Sequence, residues 1–378
     1  MKSIAQKFFF LILIFWFLSC SQNTTNKSQA TANTIKDSPC FAIANLSNFR
    51  IISVLKPGNR KDTLAKYVLF HRGSKKPNLN FPATYVETPV KNVVCLSTIF
   101  VGCMEKIGEI KKIIAVDNLD YIYNNEIKAR GIKGEVKEVA IGGSVNIEKT
   151  ISLKPDLIFA YGTSNGMDDS FKKISEFGIP TVFSMEQFES TPLARAAWLK
   201  FVAAFFEKDE IADSVFNLCK TRYDSLKFLI KNISNRPKVI SELHYNNTWH
   251  LPGGKSFAAT LFKDAGANYF LCEDKNSGSL PMSFESVFMK AKDVDFWINV
   301  HSWDKLADAE KHDKRNSEFT AVKTGNVFNN TNLKLEDGAN AYWETGFLSP
   351  DELLKDLIRI FHPLLLPNHK LKYYKKLL

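Results

Sequence analysis

One stretch constrains the chain more than any other. From Asp209 to Ile233, apolar residues fall at Ala212, Val215, Phe216, Cys219, Tyr223, Leu226, Leu229, Ile230 and Ile233. That repeat of three to four residues keeps one face of a helix apolar along its whole length. At 1.5 Å per residue the helix would span roughly 37 Å, about the width of a domain. Both flanks read as alternating strands and helices. A long helix between two α/β halves acts as a rigid spacer, holding two lobes apart with a cleft between them. The other use of such a segment is as a surface helix on one large domain. The 378 residues, 45% hydrophobic and 24% charged, are enough for two cores.

The start of the chain is not part of that plan. Lys2 and Lys7 flank a basic beginning, and the run from Phe8 to Leu18 is unbroken and apolar. Eleven residues make only about 16 Å of helix, too short for a bilayer core of about 30 Å. Residues 1–19 therefore read as a secretory signal. It ends Phe17-Leu18-Ser19-Cys20, which resembles a bacterial lipobox. Cys20 would then carry the lipid and become the new N-terminus, since cysteine is the natural nucleophile for lipid transfer. An ordinary cleaved signal with a chance cysteine is the alternative. Residues 20–38 are rich in Ser, Thr, Asn and Gln and suit a disordered tether. The expected location is a periplasm-facing membrane, held by the lipid.

Net charge is +10, or near +8 once Lys2 and Lys7 are removed. The lysines are scattered, and no zinc-finger, helix-turn-helix or RNA-binding signature is present. A solvated basic surface fits better than a nucleic-acid partner. Cys40, Cys95, Cys103, Cys219 and Cys272 form an odd set, so at least one is free or bonded to another chain. Cys95 and Cys219 read as small core residues.

Residues 39–89 read as a small β meander, with strands over 49–55 and 66–70 and a turn at Pro57-Gly58-Asn59. From residue 90 the pattern changes to continuous apolar runs of the kind buried in parallel sheets, at 92–96, 113–116, 156–160 and 180–183. Helical segments separate them, which makes 90–190 an N-terminal lobe. Residues 191–236 hold a further helix and the spacer. Residues 237–378 repeat the plan, with strands at 238–243, 295–300 and 326–328, a loop over 244–255, and a closing helix at 350–361. The expected fold is α/β: two doubly wound, mostly parallel lobes joined by one long helix, with an N-terminal β meander.

In open parallel sheets, ligands bind beyond the carboxyl ends of the strands. The strand tips, among them Ser97 to Phe100, Asp117 to Tyr123 and Tyr161 to Asn165, together with the polar loops and the loop between Asn330 and Trp343, place Thr98, Phe100, Tyr121, Tyr123, Tyr161, Tyr245, Trp249, Lys255, Trp303 and Trp343 as candidate cleft residues. Aromatic rings in polar loops suit a large, flat or partly apolar ligand. Gly142-Gly143 and Gly253-Gly254 match neither nucleotide-binding loop, and no GxSxG elbow is present. His244, His250 and His301 sit near strand tips and are the candidates for a metal ion, a haem iron or base chemistry. A secreted metal-ion-binding protein or a metallohydrolase using those three is the competing reading.

Three segments carry a family resemblance. The run 92–97, the stretch Asn146-Ile147-Glu148 leading into Leu153-Lys154-Pro155-Asp156-Leu157-Ile158, and Met282-Ser283-Phe284-Glu285-Ser286-Val287 resemble the periplasmic-binding-protein family serving ABC importers of cobalamin, haem and iron–siderophore complexes. The resemblance covers roughly residues 90 to 365. The meander and the tail from Trp343 to Pro363 look like a lipoprotein branch found in Bacteroidetes-type bacteria. The resemblance implies a two-lobe receptor that performs no covalent chemistry, closes on its cargo and docks on permease subunits. It needs no cofactor of its own, although the ligand can carry iron or cobalt. By motif position, Glu148 and Glu285 would pair with permease arginines, one from each lobe. Tyr161 matches an aromatic cleft position and Tyr121 falls near another. The family's tryptophan before the Asn-x-Glu motif is replaced by Gly142, a departure from the cobalamin binders. Lys255 and Arg315 are the basic candidates for a carboxylate-rich siderophore.

Overall fold

The computed structural model describes residues 31–33, 38–141, 144–163, 166–167 and 169–378. The signal segment, Cys20, most of the tether and Gly142 lie outside the described residues.

In the first lobe the apolar runs become the strands Val93–Cys95, Ile113–Val116, Lys137–Glu138, Leu157–Thr163 and Thr181–Ser184. All pairings among these five are parallel. Across the sheet, Thr181–Ser184 lies beside Leu157–Thr163, followed by Val93–Cys95, Ile113–Val116 and Lys137–Glu138. Chain order therefore reverses between Leu157–Thr163 and Val93–Cys95. At such a reversal the connections leave to opposite faces, and a crevice opens at the carboxyl ends. Val93, Val94, Leu157, Ile158 and Phe159 are buried, as continuous apolar strands covered on both faces must be.

The second lobe follows the same logic. Asn268–Tyr269, Lys238–Ser241, Phe296–Ile298 and Val327–Asn329 lie side by side in parallel, with Lys375–Lys376 antiparallel at the far edge. Here the order reverses between Lys238–Ser241 and Phe296–Ile298. Alternation along these strands splits the packing: Val239 and Ile298 join the main core, while Ile240 and Trp297 join a second cluster with Trp249 and Trp303.

The spacer is the helix Asp209–Leu229, about 31 Å long at 1.5 Å per residue. It stops before Ile233, with Ile230 buried at its C-cap. Its buried face is Ala212, Phe216, Cys219 and Tyr223, steps of four, three and four that follow the helical repeat. The spacer packs against the helices Pro350–Phe361 and Trp198–Ala204. One hydrophobic core runs from the first-lobe strands through the spacer to Val239, Phe262 and Phe328 of the second lobe.

The N-terminal sheet departs from a simple meander. Thr31–Asn33, Phe41–Asn45, Phe49–Lys56 and Asn59–His71 pair antiparallel, but Thr84–Thr88 joins Asn59–His71 in parallel. The sheet is packed into the first lobe. Phe41 lies 4.7 Å from Trp198, and the Tyr67 hydroxyl accepts the N–H of Phe183 at 3.1 Å. Cys95 and Cys219 are buried, and both are free thiols.

Residues 244–255 correct the sequence reading. The segment is a β-hairpin, His244–Tyr245 against Thr248–Pro252, and Ser279–Ser283 pairs with its outer strand. Asn246 and Asn247 form the two-residue turn with φ of 46° and 64°. Positive φ at both positions is what a hairpin turn of matching twist needs, and asparagine tolerates it. Alternation then sends Trp249 and Leu251 inward and His250 outward.

Candidate functional site

Two strand-order reversals, one per lobe, define where a ligand can sit. In the first lobe the tips at the reversal supply Ser97 and Thr98 on one side and Tyr161 on the other. The next strand, Ile113–Val116, ends in Asp117 and Asn118, followed by Tyr121. The second lobe contributes through the chain after Val327–Asn329. That segment leaves its own sheet, crosses to the first lobe and supplies Gly338, Asn340 and Trp343. Together these groups enclose about 300 Å³. That lies at the small end of ligand pockets, sized for a compact ligand or for one part of a bulky one.

The crossing segment is well anchored. Asn340 caps the helix Ala341–Glu344 by accepting the N–H of Tyr342 at 3.0 Å, and it donates to the carbonyl of Asn330 at 3.0 Å. Lys128 pairs with Asp337, and Thr98 Oγ1 reaches the carbonyl of Trp343 at 3.5 Å. Glu344 is buried, and its Oε2 accepts the N–H of Tyr123 at 2.7 Å. Its Oε1 meets no partner among the described residues. Burial pushes this carboxyl up to about 8, with Glu105 adding to the rise. Gly102, on the helix Thr98–Lys106, is a further requirement. A β-carbon there would collide with the carbonyl oxygen of Glu344, so the two lobes meet at backbone distance.

At the second-lobe reversal, Glu242 follows Lys238–Ser241 and His301 lies just beyond Phe296–Ile298. Their side chains pair closely, and the Glu242 hydrogen bond raises the His301 pKa. Glu242, Asn299 and His301 hold φ of 66°, 62° and 40°. Such backbone costs on the order of 1 kcal/mol or more per non-glycine residue and collects where a particular side-chain direction is needed.

Of the residues singled out in sequence, Thr98, Tyr121, Tyr161 and Trp343 come together around the cavity. Tyr161 is about half exposed and sits edge-on to Phe171 at 5.3 Å; Trp343 is similarly open, braced by Tyr342 and Phe347. Tyr123 is half-buried and does not line the cavity; its backbone N–H holds Glu344 on the crossing segment. Others lie elsewhere. Phe100 is on the core face of its helix, stacked on Phe159 at 5.0 Å. Trp249 and Trp303 are buried in the second-lobe core with Trp297. Tyr245 is exposed at the hairpin turn. Lys255 lines a separate cavity with Lys227, Arg236 and Lys263. Arg315 is held by Asp313 and Glu285 and lies over the Phe284 ring.

The three histidines do not converge. His244 is buried against Trp249, Phe284 and His312, His250 faces outward, and His301 pairs with Glu242. Among the described residues no three His, Cys, Asp or Glu side chains are grouped to hold a metal ion. Asp117 and Asn340 lie within segments that the sequence places at the cleft, the tip from Asp117 to Tyr123 and the loop between Asn330 and Trp343, but neither is singled out there. Asp117 ends an apolar strand, as the strand-tip rule places it; nothing local distinguishes Asn340 from the rest of its loop.

Glu148 and Glu285 occupy matching places. Each is the second residue of a short helix whose cap, Asn146 or Ser283, accepts the N–H three residues on. A carboxylate there also meets the helix dipole favourably. Both glutamates are exposed, but Glu285 is bonded to Arg315 at 2.9 Å and Asn247 at 3.1 Å.

Comparison with known proteins settles the family. The family model described as periplasmic binding protein matches residues 93–332, more than half of the chain. The chain belongs to the periplasmic binding protein family. An uncharacterized lipoprotein of Methanocaldococcus jannaschii is 29% identical over 301 residues, covering 77% of this chain and 70% of the relative. Among solved structures, a possible iron-binding periplasmic solute-binding protein of Staphylococcus epidermidis has a TM-score of 0.54 at 19% identity, covering 73% of this chain and all of that one. A periplasmic haem-binding protein of Pseudomonas aeruginosa has a TM-score of 0.55 at 14% identity, covering 72% and 93%. The periplasmic vitamin B12 binding protein of Vibrio cholerae has a TM-score of 0.51 at 16% identity, covering 73% and 98%. Like other periplasmic binding proteins, this one has parallel-sheet lobes, and its N-terminal sheet precedes the matched region.

Proposed function

We propose that the chain is the lipid-anchored solute-binding component of an ABC import system. It captures a bulky iron complex, siderophore or haem, or a cobalamin, between its lobes and hands it to the permease. The observation that carries this reading is the cavity at the first-lobe reversal, closed from the other lobe by Asn340 and Trp343 and presenting the rings of Tyr121, Tyr161 and Trp343. Aromatic faces grip a flat or partly apolar chelate, and the small enclosed volume leaves the remainder of a large ligand in the open mouth.

Titration of the mature protein with haemin, cyanocobalamin and ferric siderophores, followed by tryptophan fluorescence, tests the reading. At least one should bind, and Tyr161→Ala and Trp343→Ala should each weaken it by roughly three- to tenfold, the scale of one ring contact. Unchanged binding in both variants would move the site elsewhere.

Docking is the second element. Replacing Glu148 and Glu285 together by alanine should impair uptake in cells while leaving ligand affinity intact, because rim charges orient an encounter more than they hold cargo. Arg315 already occupies Glu285, so a permease arginine must compete there, and Glu148→Ala alone should cause the larger share of the defect. A fall in affinity would instead make these residues part of the cleft. Anchoring is tested by Cys20→Ser, which should move the protein from the membrane fraction to the soluble one; continued membrane fractionation would count against lipidation.

A further inference from the structure

The cavity between the lobes has a sign. Asp117 is its one charged side chain among the described lining residues; the others offer amides, hydroxyls, rings and apolar surface. Asp117 is half-buried at its strand tip, and its carboxylate makes no hydrogen bond or ion pair with any described residue. Glu138 is its charged neighbour, and burial together with that second carboxylate raises the Asp117 pKa. Glu138 already accepts the N–H of Leu119 at 3.2 Å. No lysine or arginine is among the described lining residues; Lys128 nearby is paired with Asp337, and Lys334, bridged through its backbone to Asn340, is exposed outside the lining. The undescribed residues Gly142, Gly143, Ser164, Asn165 and Asp168 add no positive charge to the sequence of these loops.

A polyanionic ligand entering this crevice would meet a like charge in a partly desolvated setting, with no cation among the described lining residues to hold it. That repulsion is the kind of element by which a site rejects a wrong partner. A ligand cation would instead relieve the Asp117–Glu138 crowding and could also lie on the ring faces of Tyr121, Tyr161 or Trp343. We infer that the cleft selects chelates of positive or zero net charge that present an ammonium or N–H donor to Asp117, and turns away polyanionic ones. The inference rests on the receptor reading given above and narrows its ligand class.

The test is fluorescence titration of the mature chain at low salt with four probes. These are a linear ferric trihydroxamate ending in an ammonium group, the same chelate acetylated at that amine, cyanocobalamin (uncharged and amide-decorated), and a ferric tris-catecholate. The ammonium chelate should bind roughly tenfold tighter than its acetylated form, or cyanocobalamin should bind tighter than the tris-catecholate by at least that factor. Asp117→Asn should erase the preference, and Asp117→Lys should turn it toward the tris-catecholate. If the tris-catecholate binds the unaltered protein as tightly as the others or more so, and Tyr161→Ala weakens it, the charge inference is overturned while the cleft reading stands. If no probe binds, or neither Tyr161→Ala nor Trp343→Ala changes any affinity, the receptor reading fails and this inference falls with it.

Discussion

Trp249→Ala is expected to lower the free energy of unfolding by about 3–5 kcal/mol, the range for emptying a buried aromatic site. The folded fraction should bind ligand within about twofold of the unaltered protein, since no ring is removed from the cleft. Trp249 is fully buried and lies against Trp297 at 5.2 Å, with Phe284 and Phe319 at 6.2 and 6.0 Å. Its Nε1–H donates to the carbonyl of Ser241 at 3.1 Å, so truncation also strips a buried acceptor of its partner. The denaturant midpoint measures the first effect and a titration below that midpoint the second. A loss under about 1 kcal/mol accompanied by collapse of ligand affinity would place this ring in the cleft and overturn the core assignment.

Stability should also fall as pH rises from about 4.5 to about 8, and Glu344 should account for much of that slope. Burial raises its folded-state pKa above the unfolded value, so the folded chain binds the extra proton throughout that window. The contribution is fully present below the unfolded value and is lost as pH rises through the folded one. Oε1, without a partner, is the natural seat for the proton while Oε2 accepts from Tyr123. Glu344→Gln keeps the acceptor and removes the titration. It should match the unaltered protein near pH 4.5 and exceed it near pH 8 by about 2–4 kcal/mol. Parallel stability curves for the two proteins across this range would show that Glu344 does not carry the effect.

What could be read from the sequence, and what could not, divides along the range of the interactions. Both parallel sheets were legible because strands such as Val93–Cys95 and Leu157–Thr163 are continuous apolar runs, a pattern set by burial on two faces. The spacer was legible because a helix repeats its buried face every few residues, although its end at Leu229 depends on where the chain must turn toward the second sheet. Tyr121 and Tyr161 followed from the strand-tip rule. The hairpin around Trp249 was missed because its signal is only two asparagines, and reading that segment as a loop turned a core tryptophan into a cleft candidate. Phe100 and Trp303 were misjudged for a related reason: proximity to a strand tip does not say which way a ring points. The sequence places the loop between Asn330 and Trp343 with the cleft tips, but how residues 331–345 are fastened to the first lobe left no local trace. That fastening rests on contacts between residues more than two hundred positions apart, such as Tyr123 with Glu344.

That crossing bears on how cargo is exchanged. With Gly102 pressed to the Glu344 carbonyl, and with the Tyr123 hydrogen bond and the Lys128–Asp337 pair alongside, prising the halves apart would sever several links at once. The expected traffic is diffusion through a nearly stationary doorway, with uptake kinetics tracking the dimensions of the visitor more closely than any large swing of its host.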